Sequence, residues 1–296
     1  MNVQDIIKKA DALIEALPYI QRFCGRTLVV KFGGSAMENR AHHDSILTDL
    51  AFMAAVGMHP VVVHGGGKAI SRAMQTEGIE SKFVRGLRVT CERTIEVVDR
   101  VMHTEINPEI VRTLERLGAA AQGVKGQSVF RVERKRQVDR ATGETVDWGF
   151  VGEPAEVLKA PIVDLLDRGC IPVITPLGLG PDGLAYNINA DTAAAAVAMA
   201  LKADKLVFLT DVPGLLRDPR DEGSILHTLR EREVGQLVQA GVIDGGMLPK
   251  VESGVAALRA GVGKVHMVDG RMPHALLLEI FTAQGVGTEM IANEQE

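Results

Sequence analysis

The run Leu28–Ser35, LVVKFGGS, restricts the fold of this chain more than any other stretch. Three apolar residues, two of them β-branched, read as a strand buried on both faces, as in a parallel sheet. The run ends in Lys31. A lysine there is costly unless the strand opens into a crevice, which is where ligands of open α/β sheets bind. Gly33 and Gly34 let backbone N–H groups approach an anion with no Cβ in the way. The stretch therefore reads as a phosphate site with a built-in cation, or as a lysine snorkelling from a strand end to water.

A second unit repeats the pattern. Pro60–His64, PVVVH, is another buried strand, and it runs into Gly65, Gly66 and Gly67 before a helix at Lys68–Thr76. Glycines at a helix amino end present backbone donors to an anion; the plainer alternative is a tight turn. Further helix–strand alternation follows, with helices expected at His42–Val56 and Pro161–Arg168 and strands at Ile171–Thr175, Leu206–Thr210 and, as the last strand, Val265–Val268. This is an α/β pattern with an open, mainly parallel sheet between helices.

Residues 2–17 read as an amphipathic helix that Pro18 is expected to stop. It is either a flap on its own subunit or an arm that docks on a neighbour. Residues 82–90 read as a short hairpin, in which Arg88 could clamp a carboxylate or simply be solvated. A long helix spans Glu92–Leu117, with a bend near Pro108. Residues 128–157 alternate around the turn signal DRATGE and read as a β-hairpin with mostly solvated faces.

Several motifs are decoys. Gly178–Gly183 is formally GxGxxG, yet prolines flank and interrupt it and no helix follows to receive a pyrophosphate. Gly67-Lys68 and Gly263-Lys264 precede Ala69 and Val265, so neither supplies the hydroxyl of a Walker A loop. By contrast, Asn189 is a good cap for the small-residue helix that follows, and Asp191 suits its first turn, a capping role compatible with a second one. A composition shift near Lys202–Lys205 suggests a second lobe. That lobe holds the turn Asp211–Leu216 and a glycine-rich loop with Gly245 and Gly246, from which Lys250 enters a helix.

Net charge is -5, which speaks against a nucleic-acid surface. Cys24, Cys91 and Cys170 are far apart, so neither a disulfide framework nor a zinc site is expected. No apolar run reaches the roughly 18 residues of a membrane span, and the acidic start lacks an apolar signal core. A cytoplasmic location is the expectation.

Taken in order, KFGGS, VVVHGGG, RGLRVT, DWGFVGE, NINAD, TDVPGLL, GGMLPKV and HMVDGR resemble the amino-acid kinase family, from about Leu28 to Ile291. The resemblance implies an N-terminal helical arm (residues 1–24), an acyl-amino-acid-binding lobe (25–202) and a nucleotide-binding lobe (203–296). It is closest to the branch that phosphorylates N-acetyl-L-glutamate with ATP, in which Mg2+ arrives with the nucleotide and is held mainly by phosphates; no metal-ligating residues are expected in the chain. By position, Lys31 and Lys250 resemble the lysines that stabilise the phosphoryl group in flight, and Asp191 the aspartate that orients both. Gly66, Gly67, Arg88 and Asn187 match substrate-binding positions. Gly33, Gly34, Asp211, Gly214, Leu215 and Leu216 match the nucleotide site.

EIFTAQGVGTEMI, Glu279–Ile291, resembles the carboxy-terminal signature of arginine-inhibited, hexameric members. That implies L-arginine as inhibitor, with Tyr19, His266, Glu279, Gly285 and Gly287 around it, and a homohexamer built through the first helix. Glu279 would pair a guanidinium, or it is a surface acid on a short helix. A PII-type nitrogen-signalling protein stays open as a partner. The chain departs from the family at Lys68, where proline is common, at Gly123–Ser128 and in MHTEINPEI. Rival readings are a kinase for a related substrate such as acetylaminoadipate and a non-catalytic arginine-sensing scaffold.

Overall fold

The computed structural model describes residues 2–138, 145–218, 220–282 and 285–293. The chain begins with α1 (Val3–Phe23), β1 (Thr27–Phe32), α2 (Arg40–Ala55), β2 (His59–His64) and α3 (Gly67–Thr76). The hairpin β3 (Phe83–Val84) and β4 (Leu87–Arg88) leads to α4 (Glu92–Val101) and α5 (Asn107–Arg116). Next come β5 (Ala121–Val124), β6 (Phe130–Val138), β7 (Thr145–Val157), α6 (Ala160–Leu166), β8 (Ile171–Ile174), β9 (Leu177–Leu179) and β10 (Ala185–Asn187). The last third holds α7 (Ala190–Leu201), β11 (Lys205–Thr210), β12 (Thr228–Arg230), α8 (Glu231–Gln239), α9 (Leu248–Arg259), β13 (Lys264–Asp269), α10 (Ala275–Ile280) and β14 (Thr288–Ile291).

Eight strands form one sheet in the order β12-β14-β13-β11-β1-β2-β8-β5. Every neighbouring pair is parallel except β13 with β14. The open, mainly parallel sheet between helices is thus observed. Side chains alternate across a strand, and this sorts the core into two layers. Val29, Val61, Val63 and Phe208 pack with the alanines of α7 on one face. Leu28, Val30, Val62 and Val207 pack with residues of α2, α4 and α5 on the other. Lys31 shares its parity with Val29, and His64 with Val62, so each projects toward a different helical layer.

Three expectations change and a fourth is extended. Helix α1 does not stop at Pro18 but continues to Phe23. A proline inside a helix costs about 3 kcal/mol, and here Tyr19, Ile20 and Phe23 pack on the core beyond it, while the Cys24 N–H closes on the Ile20 carbonyl at 2.9 Å. The bend expected near Pro108 is a π-helical turn at Met102–Ile106, just before Asn107. The β6–β7 hairpin is exposed or half-buried along most of its length, as expected, but it also has a buried side: it closes with β9 and β10 into a small barrel and buries Phe130, Val132, Trp148 and Val151. Its turn signal, residues 139–144, lies outside the described residues. Val265–Val268 is not the last strand, because the tail forms β14 against β13. The GxGxxG stretch runs through β9 and the turn of the β9–β10 hairpin, and the element that follows its last glycine is the strand β10, not a helix.

Candidate active site

The site is built from the carboxyl end of β1 outward. Lys31 follows apolar strand positions, is 9 % exposed, and ends 3.2 Å from Asp191 Oδ1. It does not snorkel to bulk water. Asp191 is placed by the cap of α7, where Asn189 Oδ1 accepts the N–H groups of Asp191 at 2.9 Å and Thr192 at 3.1 Å. From the first turn of α9, Lys250 donates to the other oxygen, Asp191 Oδ2. One buried carboxylate therefore holds two ammonium groups from opposite ends of the chain. Burial works to raise the Asp191 pKa, but Lys31 and Lys250 outweigh it and hold the carboxyl below its ordinary value. The acid is an anion at neutral pH, and the pair of cations leaves the cluster with net positive charge.

Two glycine turns lie beside this cluster. The Gly65 N–H donates to the Phe32 carbonyl at 2.7 Å, which ties the second turn to the first. A Cβ on Gly33 would sit 3.0 Å from Lys31 Nζ. Gly34 adopts φ +70°, and a Cβ there would lie 2.9 Å from Asp211 Oδ1, so Asp211 abuts the first turn. Gly66 faces Ile106, whose Cδ1 would be 2.6 Å from an added Cβ. Lys31, Gly34, Gly65, Gly66, Gly67 and Ser71 line a cleft of about 370 Å3. Arg88 is buried beside it and donates to the Gly67 carbonyl at 3.0 Å, Ser71 Oγ at 2.8 Å and Ser81 Oγ at 2.7 Å. Burial draws its pKa down. The solvated alternative for Arg88 is thereby removed.

Lys250 and Asp191 also border a cleft of about 940 Å3, with Gly245 and Gly246 on one side and Lys135 and Trp148 from the barrel on another. Spacing alone does not single out the two barrel residues; only tertiary closure brings them there. Asn187 stands on the barrel rim, its backbone paired with Leu177 and Val151. Gly214 lies against β14, where a Cβ would be 2.6 Å from Thr288 Oγ1, and the Leu215 N–H donates to the same hydroxyl at 2.8 Å. Leu215 and Leu216 are buried.

A separate cavity of about 620 Å3 brings together Tyr19, Lys205, His266, Glu279, Gly285 and Glu289. His266 Nδ1–H donates to Glu279 Oε1 at 2.6 Å, and Lys205 Nζ donates to His266 Nε2 at 2.9 Å. Glu279 Oε2 accepts the N–H groups of Val286 at 2.7 Å and Gly287 at 2.9 Å. Glu279 is thus buried, not a surface acid. Burial favours its neutral form, but the hydrogen bonds from His266 and the backbone prevail and keep its pKa low. Burial also depresses His266, and it draws Lys205, with Lys264 nearby, down to about 8. Sequence reasoning misses Lys205; its one signal there is a lone cation opening a fully apolar strand.

This arrangement defines an α/β protein whose strand ends carry phosphate-type glycine turns and a shared pair of lysines. The chain matches the amino acid kinase family over residues 26–269 and belongs to that family. Within the family it is 48% identical over 290 residues to the acetylglutamate kinase of Heliobacterium modesticaldum, covering 96% of this chain and 98% of that one. It is 49% identical over 287 residues to the acetylglutamate kinase of Desulfitobacterium hafniense, covering 95% and 96%. Among solved structures, N-acetylglutamate synthase from Neisseria gonorrhoeae complexed with coenzyme A and N-acetyl-glutamate superposes with a TM-score of 0.84 at 27% identity. That match covers 97% of this chain and 64% of the synthase chain. The same synthase complexed with coenzyme A and L-arginine gives a TM-score of 0.80 at 26% identity, covering 95% and 65%.

Proposed function

We propose that this chain transfers the γ-phosphoryl group of ATP to the γ-carboxylate of N-acetyl-L-glutamate, a step of arginine biosynthesis that yields N-acetylglutamyl 5-phosphate. The observation that carries the reading is the meeting of Lys31 and Lys250 on Asp191. The end-to-end similarity to acetylglutamate kinases supports the choice of acceptor.

The chemistry follows from the residue types. A γ-carboxylate titrates near roughly 4.3 and is already ionised at neutral pH, so no general base is required. What needs help is negative charge on the transferring oxygens and on the oxygens entering and leaving in line. Lys31 and Lys250 supply positive charge there, and Asp191 fixes both ammonium groups before substrate arrives, which is electrostatic preorganisation. Backbone N–H groups of Gly66 and Gly67 serve the phosphoryl group and the acceptor. Arg88 supplies charge for the α-carboxylate, and Asn187 binds the acyl amino acid from the barrel rim. Gly33, Gly34, Asp211, Gly214, Leu215 and Leu216 serve the nucleotide. In this reading residues 25–202 form the acyl-amino-acid lobe and 203–296 the nucleotide lobe, on one continuous sheet. Among the described residues no group of three or more His, Cys, Asp or Glu is disposed to hold a metal. Mg2+ would accompany the nucleotide and neutralise phosphate charge, while the chain contributes its own cations and backbone donors.

Trapping the acyl phosphate with hydroxylamine tests the reaction. Hydroxamate should form with ATP and N-acetyl-L-glutamate and far less with acetylaminoadipate. The opposite preference, or no product with either, overturns the reading.

The second cavity supports L-arginine as a feedback inhibitor. Its lining offers Glu279 for a guanidinium and Lys205 for a carboxylate, with Tyr19 contributed by α1. The same helix exposes Val3, Ile7, Leu13, Ile14 and Leu17, an apolar stripe that supports association of dimers into a homohexamer. Deleting residues 1–20 should weaken inhibition by arginine and leave a dimer. Unchanged inhibition in the truncated protein counts against both.

A further inference from the structure

We infer that His64 and Asn107 form a positioning pair that sets the direction of the Gly66 N–H in the second glycine turn. Both are buried, and their side chains bond to each other at 3.1 Å, outside the lysine cluster. One hydrogen bond, from His64 to the Gly65 carbonyl, links the pair to the turn, and Asn107 anchors the pair to β8. Its catalytic consequence rests on the phosphoryl-transfer reading proposed for this site.

The Val173 carbonyl of β8 can only accept, and it lies 2.8 Å from one terminal atom of the Asn107 amide, which must therefore be Nδ2. The same Nδ2 is 3.1 Å from His64 Nε2. An NH2 group donates, so His64 Nε2 must be the bare acceptor and the ring proton sits on Nδ1. That nitrogen is 2.8 Å from the Gly65 carbonyl, to which it donates. Burial holds the His64 pKa at about 4, so the ring is neutral at neutral pH and has one proton to place.

Gly65 is thereby held at both ends, since its own N–H donates to the Phe32 carbonyl. In a trans peptide the N–H points opposite to the preceding carbonyl. Pinning the Gly65 carbonyl on the imidazole directs the Gly66 N–H away from it, and Gly66 lines the cleft with Lys31. A flipped peptide would present a carbonyl oxygen where a phosphoryl oxygen has to sit. The π-helical turn at Met102–Ile106 serves the same end: it delivers Ile106 against Gly66 and Asn107 against His64.

Two measurements test this. In the wild-type protein at pH 7, long-range 1H–15N correlation should show His64 protonated at Nδ1; protonation at Nε2 overturns the proposal. His64→Leu, which removes the donor, should lower kcat about 100-fold, the effect of losing one preorganised donor, with KM for ATP and acceptor changed less than about threefold. His64→Asn keeps an amide donor near the Nδ1 position and should recover at least about tenfold of that loss. A Leu variant retaining a third of wild-type kcat, or an Asn variant no better than Leu, overturns the proposal. If His64→Leu fails to fold, the tautomer measurement decides alone. If the wild-type protein forms no acyl phosphate, the proposed reaction fails, while the tautomer still tests the pair.

Discussion

Replacing Asp191 with asparagine is the most informative perturbation of this site. At 3.2 Å from Lys31, a unit-charge attraction in an effective dielectric of about 20 is roughly 5 kcal/mol in gross terms. The Lys250 contact adds to it on the other oxygen. Desolvation offsets much of both, and removing one partner of a buried charge cluster typically costs about 3–5 kcal/mol net. The substitution strands two ammonium groups beside each other with only an amide between them. For 296 residues, unfolding entropy near 2 cal/mol/K per residue converts a loss of about 3 kcal/mol into a fall in Tm of about 5 °C. The pH dependence has a definite sign. Asp191's folded pKa is depressed, so its stabilisation is complete above the unfolded value of about 3.9 and disappears as pH falls through the lower folded value. Calorimetry of wild type and Asp191→Asn should therefore show a constant gap from pH 7 to about 4 and a closing gap below. Turnover should fall at least about 100-fold at pH 7, because neither lysine is then held in place. A variant within about 1 °C of wild type that keeps more than a third of turnover would refute the reasoning.

Three further outcomes follow from the geometry. Lys250→Ala should lower kcat by orders of magnitude with little change in substrate KM, and a third of wild-type turnover in that variant would remove Lys250 from the transfer step. Gly34→Ala places a Cβ 2.9 Å from Asp211 Oδ1 at φ +70°; left-handed strain of about 1–2 kcal/mol should appear in urea unfolding, together with a higher KM for ATP, and an unchanged KM would free Asp211 from the nucleotide site. Lys205, at about 8 when folded against an ordinary 10.5, keeps its proton longer in the unfolded chain, so wild-type stability should rise between those values. Lys205→Met should flatten that rise by about 3 kcal/mol, and urea titrations at pH 8 and 10.5 check it.

The open sheet was legible because Leu28–Val30, Val61–Val63 and Leu206–Leu209 are unbroken apolar runs that only burial on both faces accommodates. Glycines after two of those runs announced anion turns, and Asn189 announced the start of α7. Local rules failed where packing outweighed them. Pro18 should end a helix, yet the core contacts of Tyr19, Ile20 and Phe23 carry α1 past it. The charged run Glu133–Arg136 of the β6–β7 hairpin stays largely solvated, but alternation gave no sign that closure against β9 and β10 would bury Phe130, Val132 and Trp148.

What the sequence determined by itself is therefore local: which segments are strands, where backbone donors cluster, and which residue types are available for phosphate chemistry. Nothing in spacing could bring Lys31, Asp191 and Lys250 onto one another, because that depends on how α7 and α9 pack over the sheet. The tertiary structure also decided that Glu279 is buried on His266 and that His64 holds Gly65 in place. The physical reason is the same in each case. Propensity and periodicity act over a few residues, whereas a buried charge or donor finds its partner only when distant segments exclude water together.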